Sequence, residues 1–187
     1  MTTGAVSPRR ADTRRNHERI LAAALESLTT TGEISFNTIA KNAEVGVGTV
    51  YRHFPNQEAL VLAVYRREVR HLLDIVPALL KRNTPEQAFR EWTRHLARYM
   101  ITKHGLADAL RTAATSQAEL FAASYEAILG AVRTLLDANV AAGSVRADLD
   151  PLTVTRALGG MMHFNPGGNW QTDTESLIDL LWKGMRP

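Results

Sequence analysis

The chain has 187 residues, a length that usually forms one domain or two small ones. Apolar residues make up 45% and charged residues 22%, and the formal net charge is +3, as in a mildly basic protein with a buried core. The absence of cysteine excludes disulfides, thiolate metal sites and a cysteine nucleophile. We expect a soluble cytoplasmic protein, because no apolar run is long enough to span a membrane and the N-terminus lacks the apolar segment of a signal peptide.

Helical periodicity dominates the chain, and no segment shows the strict alternation of a β-strand, so the predicted fold class is all-α. The nine predicted helices cover, in chain order, about residues 11–31, 35–43, 46–53, 56–76, 84–104, 106–114, 117–142, 150–163 and 173–185. The first three helices share one small core. We therefore predict a flexible basic arm over 1–10, a small helical unit over 11–55 and a larger one over 56–187.

Capping and breaking residues set most of these boundaries. Gly32 and Gly143 follow helices at positions where a left-handed residue commonly ends the last turn. Asn56 is a suitable N-cap, and Thr84 begins the sequence Thr-Pro-Glu-Gln, which has the cap, the first-turn proline and the glutamine of a capping box. Pro77 is predicted to end the fourth helix, since a proline pushes the residue before it out of the α region.

Residues 35–54, SFNTIAKNAEVGVGTVYRHF, have the geometry of a helix-turn-helix, whose second helix lies in the major groove of DNA. Tyrosine, histidine and threonine can donate to phosphates, and a glycine lets the backbone approach the duplex closely. The outward positions of the second helix are Val47, Gly48, Thr49, Arg52 and His53, with Tyr51 on the flank. Arg9, Arg10, Arg14 and Arg15 precede and open the first helix, where they can follow the DNA backbone or enter a minor groove. Each feature also has an explanation that does not involve DNA: Tyr51 can be a half-buried packing residue, and the arginines can be a solvated basic tail. These explanations become weaker when the features occur together.

The string IAKNAEVGVGTVYRHFPNQEAL resembles the signature of TetR-type transcriptional regulators, in which Ile-Ala, Val, Gly-Thr, Tyr and Phe recur at this spacing. The resemblance covers residues 14–64. It implies a homodimer that binds a palindromic operator in double-stranded DNA, usually as a repressor, and releases it when a small molecule enters the C-terminal half. By this resemblance Ser35 and Asn37 contact phosphates, Val47, Gly48 and Thr49 face the bases, and Tyr51 and His53 clamp the backbone.

Two positions depart from the family's pattern. The turn position usually held by glycine is Glu44, so we expect a non-glycine residue at positive φ, at a cost of about 1 kcal/mol. A position at the start of the fourth helix that often carries lysine is Gln57, which puts one phosphate contact in doubt and should flatten the salt dependence of binding. Because Val47 and Thr49 carry no bidentate group for a purine edge, we expect them to contact thymine methyl groups. Further specificity is expected from Arg52, the arm and DNA shape.

Aromatic side chains in the C-terminal half are candidates for a ligand site. The set comprises Trp92, His95, Leu96 and Tyr99, which share one helical face, the pair Phe121 and Tyr125, and Met162 near the end of a later helix. A mainly apolar surface with few polar groups suits an apolar effector with a single polar handle. For any single one of these residues, a place in the core of a helix bundle is the favoured interpretation; the family resemblance favours a cavity among them without saying which residues line it.

The last two helices are the predicted dimer interface. Gly159 and Gly160 would let a partner helix come close, and the terminal helix is apolar on more than one face, so it needs two neighbours. We assign one of these neighbours to the second subunit of a C₂ dimer. The predicted interface residues are Val154, Leu158, Met161, Leu177, Leu181 and Trp182.

Metal and enzyme chemistry have weaker support. His95, His104 and His163 include no pair four residues apart, so we assign no metal ligand and expect no cofactor. The common nucleophile, zinc, dinucleotide and P-loop motifs are missing, so we do not expect an enzyme. Two alternatives stay open: a helical enzyme or metal protein built around His95, Tyr99 and His163, and a helical module that binds protein instead of DNA.

The preferred interpretation is a ligand-responsive, dimeric DNA-binding regulator of the TetR type. The helix over 56–76 is expected to belong to both halves, so that tilting it changes the separation of the two reading helices. Ligand and DNA then weaken each other's binding by the same factor.

Overall fold

A computed structural model of the chain describes residues 8–105, 118–163 and 170–187. Within these ranges all regular structure is helical, which confirms the all-α prediction. The helices are α1 (Pro8–Thr30), α2 (Phe36–Asn42), α3 (Val47–His53), α4 (Gln57–Arg82), α5 (Pro85–Gly105), α6 (Ala118–Ala141), α7 (Pro151–His163) and α8 (Trp170–Met185). The sixth predicted helix, over 106–114, lies outside the described residues. None of the described helices is long and apolar enough to cross a membrane.

Two compact units divide the chain, and each is described by itself. The N-terminal unit contains α1, α2, α3 and the start of α4, through Arg66. The C-terminal unit begins at Arg67 and contains the rest of α4, nearly all of α5, and α6, α7 and α8. Helix α4 therefore contributes residues to both units.

The N-terminal unit is a three-helix cluster in which α2 packs against both α1 and α3. Its buried side chains include Ile20, Ala24, Leu28, Phe36, Ile39, Val50 and Phe54. Ser35 is the N-cap of α2, and its side-chain oxygen accepts a hydrogen bond from the Thr38 amide at 3.4 Å. Gly32 ends α1 with φ +72°, as the sequence predicts.

The turn between α2 and α3 holds a non-glycine residue in the left-handed region, as predicted. Glu44 has φ 51°, and its amide donates to the carbonyl of Lys41 at 3.1 Å. Its carboxylate forms an ion pair with Arg19 on α1. Exposed ion pairs contribute about 0.2–1 kcal/mol, so this contact offsets part of the cost of the left-handed backbone.

Helix α4 corrects one prediction, because Pro77 does not end it. The helix continues through the proline to Arg82. A proline in a helix interior costs about 3 kcal/mol, mainly through one missing hydrogen bond and a steric clash. Pro77 is exposed, whereas Val76 is buried and Leu79 and Leu80 are half-buried. Full burial of such a side chain stabilises by about 1.5–3 kcal/mol and partial burial by less, so the three side chains together offset the cost of the proline.

Two helix starts also differ from the prediction. Helix α1 begins three residues earlier, at Pro8, because proline suits the first turn, where its missing amide has no helical partner. Helix α8 begins at Trp170, so Asp173 lies within its first turn and is not the residue that opens it. An acidic side chain there interacts favourably with the positive end of the helix dipole.

In the C-terminal unit, α7 packs against both α6 and α8. The predicted capping box of α5 is present: the Gln87 side chain accepts from the Thr84 amide at 3.2 Å, and the Thr84 hydroxyl accepts from the Gln87 amide at 3.3 Å. Asn139 is fully buried near the end of α6, and its amide nitrogen donates to the Pro85 carbonyl at 2.9 Å. This bond fixes the end of α6 against the start of α5.

Ion pairs connect α5 to α8 across this unit. Arg90 pairs with Asp179, and its guanidinium carbon lies 5.5 Å from the ring centre of Trp182. Arg94 forms a two-point contact with Glu175. These hydrogen bonds hold the pKa of both acidic side chains below the usual range. They fix which face of α8 points inward.

Candidate nucleic-acid interface

Helix α3 is the short helix expected to read DNA, and it presents most of its side chains outward. Gly46 is its N-cap, and Val50 is its only fully buried residue. Val47 is 39% exposed, an unusual environment for valine. Gly48 and Arg52 are exposed, and a Cβ atom built at Gly48 would have no neighbour within 4 Å. The outer face of α3 is therefore open to close approach.

Tyr51 is held in place by packing while its side chain stays accessible. It is 57% exposed, and its ring meets Phe36 edge-on with centroids 4.9 Å apart. This pairing of Tyr51 with Phe36 was not predicted from the sequence. This contact orients the phenol beside the start of α2, where Ser35 and Asn37 are also exposed.

A groove of about 880 Å³ follows this surface from the start of α2 to the start of α4. Its polar lining includes Ser35, Asn37, Tyr51, Asn56 and Gln57. Gln57 donates from its side-chain nitrogen to the carbonyl of Ile34 at 2.9 Å. Gln57 thus ties the start of α4 to the loop before α2. The sequence analysis identified Asn56 only as an N-cap, where its side chain accepts from the Ala59 amide at 2.8 Å.

A second, smaller cleft of about 300 Å³ lies between α1 and the end of α3 and is lined by Thr13, Arg14, His17 and His53. His17 stacks on Phe54 with ring centroids 5.0 Å apart and lies 5.4 Å from His53. Burial lowers the pKa of His53 below its usual range, and the neighbouring His17 lowers it further. The sequence analysis did not single out His17, since nothing in the α1 pattern distinguishes it from a packing residue.

Two arginines near the start of α1 face solvent, and one of them, Arg14, lines this cleft. Arg14 and Arg15 are exposed, and Arg15 pairs with Asp12 at 2.6 Å. That pair is largely exposed, so it binds the guanidinium only weakly. The side chains of Arg9 and Arg10 lie outside the described residues.

In the C-terminal unit, the predicted ligand residues have different environments. Trp92, Leu96 and Tyr99 are buried on α5, and the Trp92 indole donates to the Leu72 carbonyl at 2.8 Å. His95 is half-buried and contacts His71 of α4. On α6, Phe121 is half-buried and Tyr125 is 40% exposed. The side chain of Met162 lies outside the described residues.

The predicted dimer residues also separate into two groups. Val154, Leu158 and Trp182 are buried within the chain itself, Trp182 beside Phe89 with ring centroids 5.5 Å apart. Met161, Leu177 and Leu181 are half-buried, and the neighbouring Leu180 is 67% exposed. Helix α8 therefore has one apolar face in the core of its unit and a second one that includes Leu177, Leu180 and Leu181.

Comparison with known proteins matches both parts of the chain. Residues 20–64 match the family "Bacterial regulatory proteins, tetR family", and residues 84–187 match "Transcriptional regulator SbtR-like, C-terminal domain". No curated protein matches the chain.

Solved structures give the same result over nearly the full length. The TetR transcriptional regulator SCO0520 from Streptomyces coelicolor is 39% identical, covering 91% of this chain and 98% of its own, with a TM-score of 0.85. The TetR transcription regulatory protein from Mycobacterium vanbaalenii is 33% identical, covering 96% of this chain and 100% of its own, with a TM-score of 0.76. The fatty acid degradation regulator FadR from Bacillus halodurans, at 19% identity and a TM-score of 0.63, shares the fold. With its helix-turn-helix unit and its C-terminal helical unit both matched, the chain belongs to the TetR family of DNA-binding transcriptional regulators.

Proposed function

We propose that this protein is a repressor that binds a palindromic operator as a homodimer and releases it when a small molecule binds the C-terminal unit. The observation that carries the proposal is the outward face of α3, where Val47 and Tyr51 are exposed. They lie beside the exposed Gly48 and Arg52, so one short helix presents apolar, aromatic and cationic groups together on an accessible face. In a helix-turn-helix regulator such a face meets the major groove.

In this proposal, bases and phosphates are contacted by different parts of the N-terminal unit. Val47 and Thr49 contact thymine methyl groups, and the open backbone at Gly48 allows α3 to lie deep in the groove. Arg52 adds a charged contact at the end of α3. The phosphate backbone lies along the groove between α2 and α4, where the Tyr51 hydroxyl donates a hydrogen bond to a phosphate oxygen.

Binding of a random duplex library, followed by enrichment and sequencing, tests this assignment. We expect a palindrome with half-sites about one helical turn apart, roughly 34–36 Å, and thymines opposite Val47. The Tyr51→Ala variant should lose binding to the enriched palindrome. If no sequence is enriched and weak binding is the same in both proteins, the α3 surface is not a DNA-reading surface.

The dimer in this proposal forms through the second apolar face of α8. Leu180 is 67% exposed and lies beside the half-buried Leu177 and Leu181, whereas the opposite face of the helix is in the core. At Gly159 and Gly160 of α7 an added Cβ would have no neighbour within 4 Å, so a partner helix has room to approach. Helices α7 and α8 of each subunit together form a four-helix interface, a common arrangement in C₂ dimers.

Sedimentation of a charged variant tests this interface. Leu180→Glu should raise the dimer dissociation constant by about a hundredfold or more, because an unpaired charge buried at an interface costs several kcal/mol. Ala141→Glu, at an exposed position at the end of α6, is the control and should sediment as the wild type does. An unchanged dimer in Leu180→Glu would place the interface elsewhere.

The effector in this proposal is a small, largely apolar molecule bound among the helices of the C-terminal unit. Trp92, Leu96 and Tyr99 supply an apolar lining with one phenol hydroxyl, and α6 adds Phe121 and Tyr125. Helix α4 contributes residues to both units, so it is the segment that can connect ligand binding to DNA binding.

A ligand screen that follows release of the selected operator tests the response. A true effector must weaken DNA binding by the same factor by which DNA weakens effector binding, because the coupling free energy is reciprocal. Replacing Tyr99 by phenylalanine should weaken effectors that carry a polar group and leave purely apolar ones unchanged. The effect of a true effector on DNA affinity saturates at this factor, whereas the effect of a compound that competes for the DNA surface keeps growing with its concentration.

A further inference from the structure

Two histidines from neighbouring helices meet in the C-terminal unit. Nε2 of His71 on α4 lies 3.3 Å from Nδ1 of His95 on α5, and the ring centroids are 5.1 Å apart. His71 is exposed and His95 is half-buried, so the pair lies at the surface with its nitrogens facing each other. Neither the DNA surface nor the α8 face uses these side chains.

The distance between the two nitrogens fits a shared metal ion. Imidazole nitrogen binds Zn²⁺ at about 2.0–2.1 Å, and two such ligands at a tetrahedral angle lie about 3.3–3.4 Å apart. The observed separation is 3.3 Å. It is slightly longer than the usual range for a hydrogen bond donated by nitrogen, about 2.7–3.2 Å.

Acidic side chains lie near both histidines. Glu68 of α4 interacts electrostatically with His71, and Glu91 of α5 interacts with His95. These two acids offset the repulsion that Arg98, which also acts on His95, exerts on a cation. A cation between the two imidazoles would therefore have an acidic side chain close to each of its ligands.

We propose that His71 and His95 form a two-histidine site for a divalent transition metal, Zn²⁺ being the ion that imidazole and a tetrahedral geometry favour. In the described ranges no group of three or more His, Asp or Glu side chains is arranged to hold a metal ion, so water completes the coordination. The bound ion links α4 to α5. This proposal goes beyond the proposed function, because zinc binding requires neither operator nor effector.

Calorimetric titration of the full-length, untagged protein with Zn²⁺ tests the site. We expect one Zn²⁺ per chain, and at least about tenfold weaker binding in His71→Gln and in His95→Gln. His17→Gln is the matched control, because His17 and His53 are another close histidine pair, with ring centroids 5.4 Å apart. This variant should bind zinc as the wild type does.

Thermal unfolding with and without Zn²⁺ supplies a second measurement. Zinc should raise the Tm of the wild type and of His17→Gln but not that of His71→Gln, because a ligand that binds only the folded state stabilises it by RT ln(1 + [L]/Kd). His71 is exposed, so its replacement leaves the core intact. If binding is absent, equal in all variants, or lost only in His17→Gln, the proposal is overturned and the His71–His95 contact is a hydrogen bond alone.

Discussion

Replacing Tyr51 by phenylalanine separates the two properties of this side chain. The ring packs edge-on against Phe36 and remains in the Tyr51→Phe variant, whereas the hydroxyl group, proposed to donate to a DNA phosphate, is removed. The fold should be unaffected, since the side chain is 57% exposed and its packing contact is kept. Any change in DNA affinity then reports the lost hydrogen bond.

The size of the effect follows from the chemistry of the missing contact. A hydrogen bond to a charged acceptor contributes about 1.5–3 kcal/mol, which corresponds to roughly 10- to 150-fold weaker operator binding. Because the tyrosine hydroxyl is neutral, no counterion release is lost, and the slope of log K against log salt should stay the same. Arg14→Gln, in contrast, should reduce the slope by about 0.9.

Fluorescence anisotropy on the selected operator, at several salt concentrations, measures both quantities. The matched control is Thr134→Val, which removes an exposed hydroxyl that donates to the Gly130 carbonyl within α6, far along the chain from α3. It should bind DNA as the wild type does. If Tyr51→Phe binds within twofold of the wild type, the hydroxyl contacts no phosphate and Tyr51 is a packing residue.

Three further changes have predicted outcomes. Glu44→Gly should change the free energy of unfolding by less than about 1 kcal/mol, because relief of the left-handed backbone strain is offset by loss of the ion pair with Arg19. In an Arg19→Ala background this ion pair is already absent, so urea unfolding of Glu44→Gly should show the whole gain in stability from the relieved strain. Operator affinity should rise as pH falls from about 7.5 to about 5.5, because a DNA phosphate favours the protonated form of His53. In the free protein, burial lowers the pKa of His53. The His53→Gln variant should therefore show a flatter dependence of operator affinity on pH. The same lowered pKa means that stability contributed by neutral His53 is lost as pH falls below about 6.5, which denaturant titrations at each pH would detect. Gln57→Lys should make the salt dependence of binding steeper by about 0.9, and an unchanged slope would show that this position does not reach a phosphate.

Local signals in the sequence were enough to predict the N-terminal unit closely. The stop of α1 at Gly32 depends on a backbone conformation that a few neighbouring residues determine, whereas the positive φ at Glu44 was expected from the resemblance to the TetR-type signature. The capping box at Thr84 was predictable for the same reason as the stop at Gly32. These features require no knowledge of how the helices pack.

Where packing decides the outcome, the sequence was insufficient. Pro77 favours a helix end locally, but burial of the residues around it keeps α4 continuous. On α8 two apolar stripes compete, and only contacts with α5 and α7 show that Trp182 belongs to the core. The contact between His71 and His95 joins residues 24 positions apart on different helices, so no periodicity within either helix could reveal it.

The proline within α4 also divides that helix mechanically. Since proline has no amide hydrogen, the carbonyl of Leu73 lacks its usual helical donor, and the backbone ladder is weakest at this turn. The turns from the start of α4 to Val76 contain no proline, so the missing bond is confined to the turn at Pro77. Any bend of α4 is therefore expected first at this turn and not in the uninterrupted turns before it.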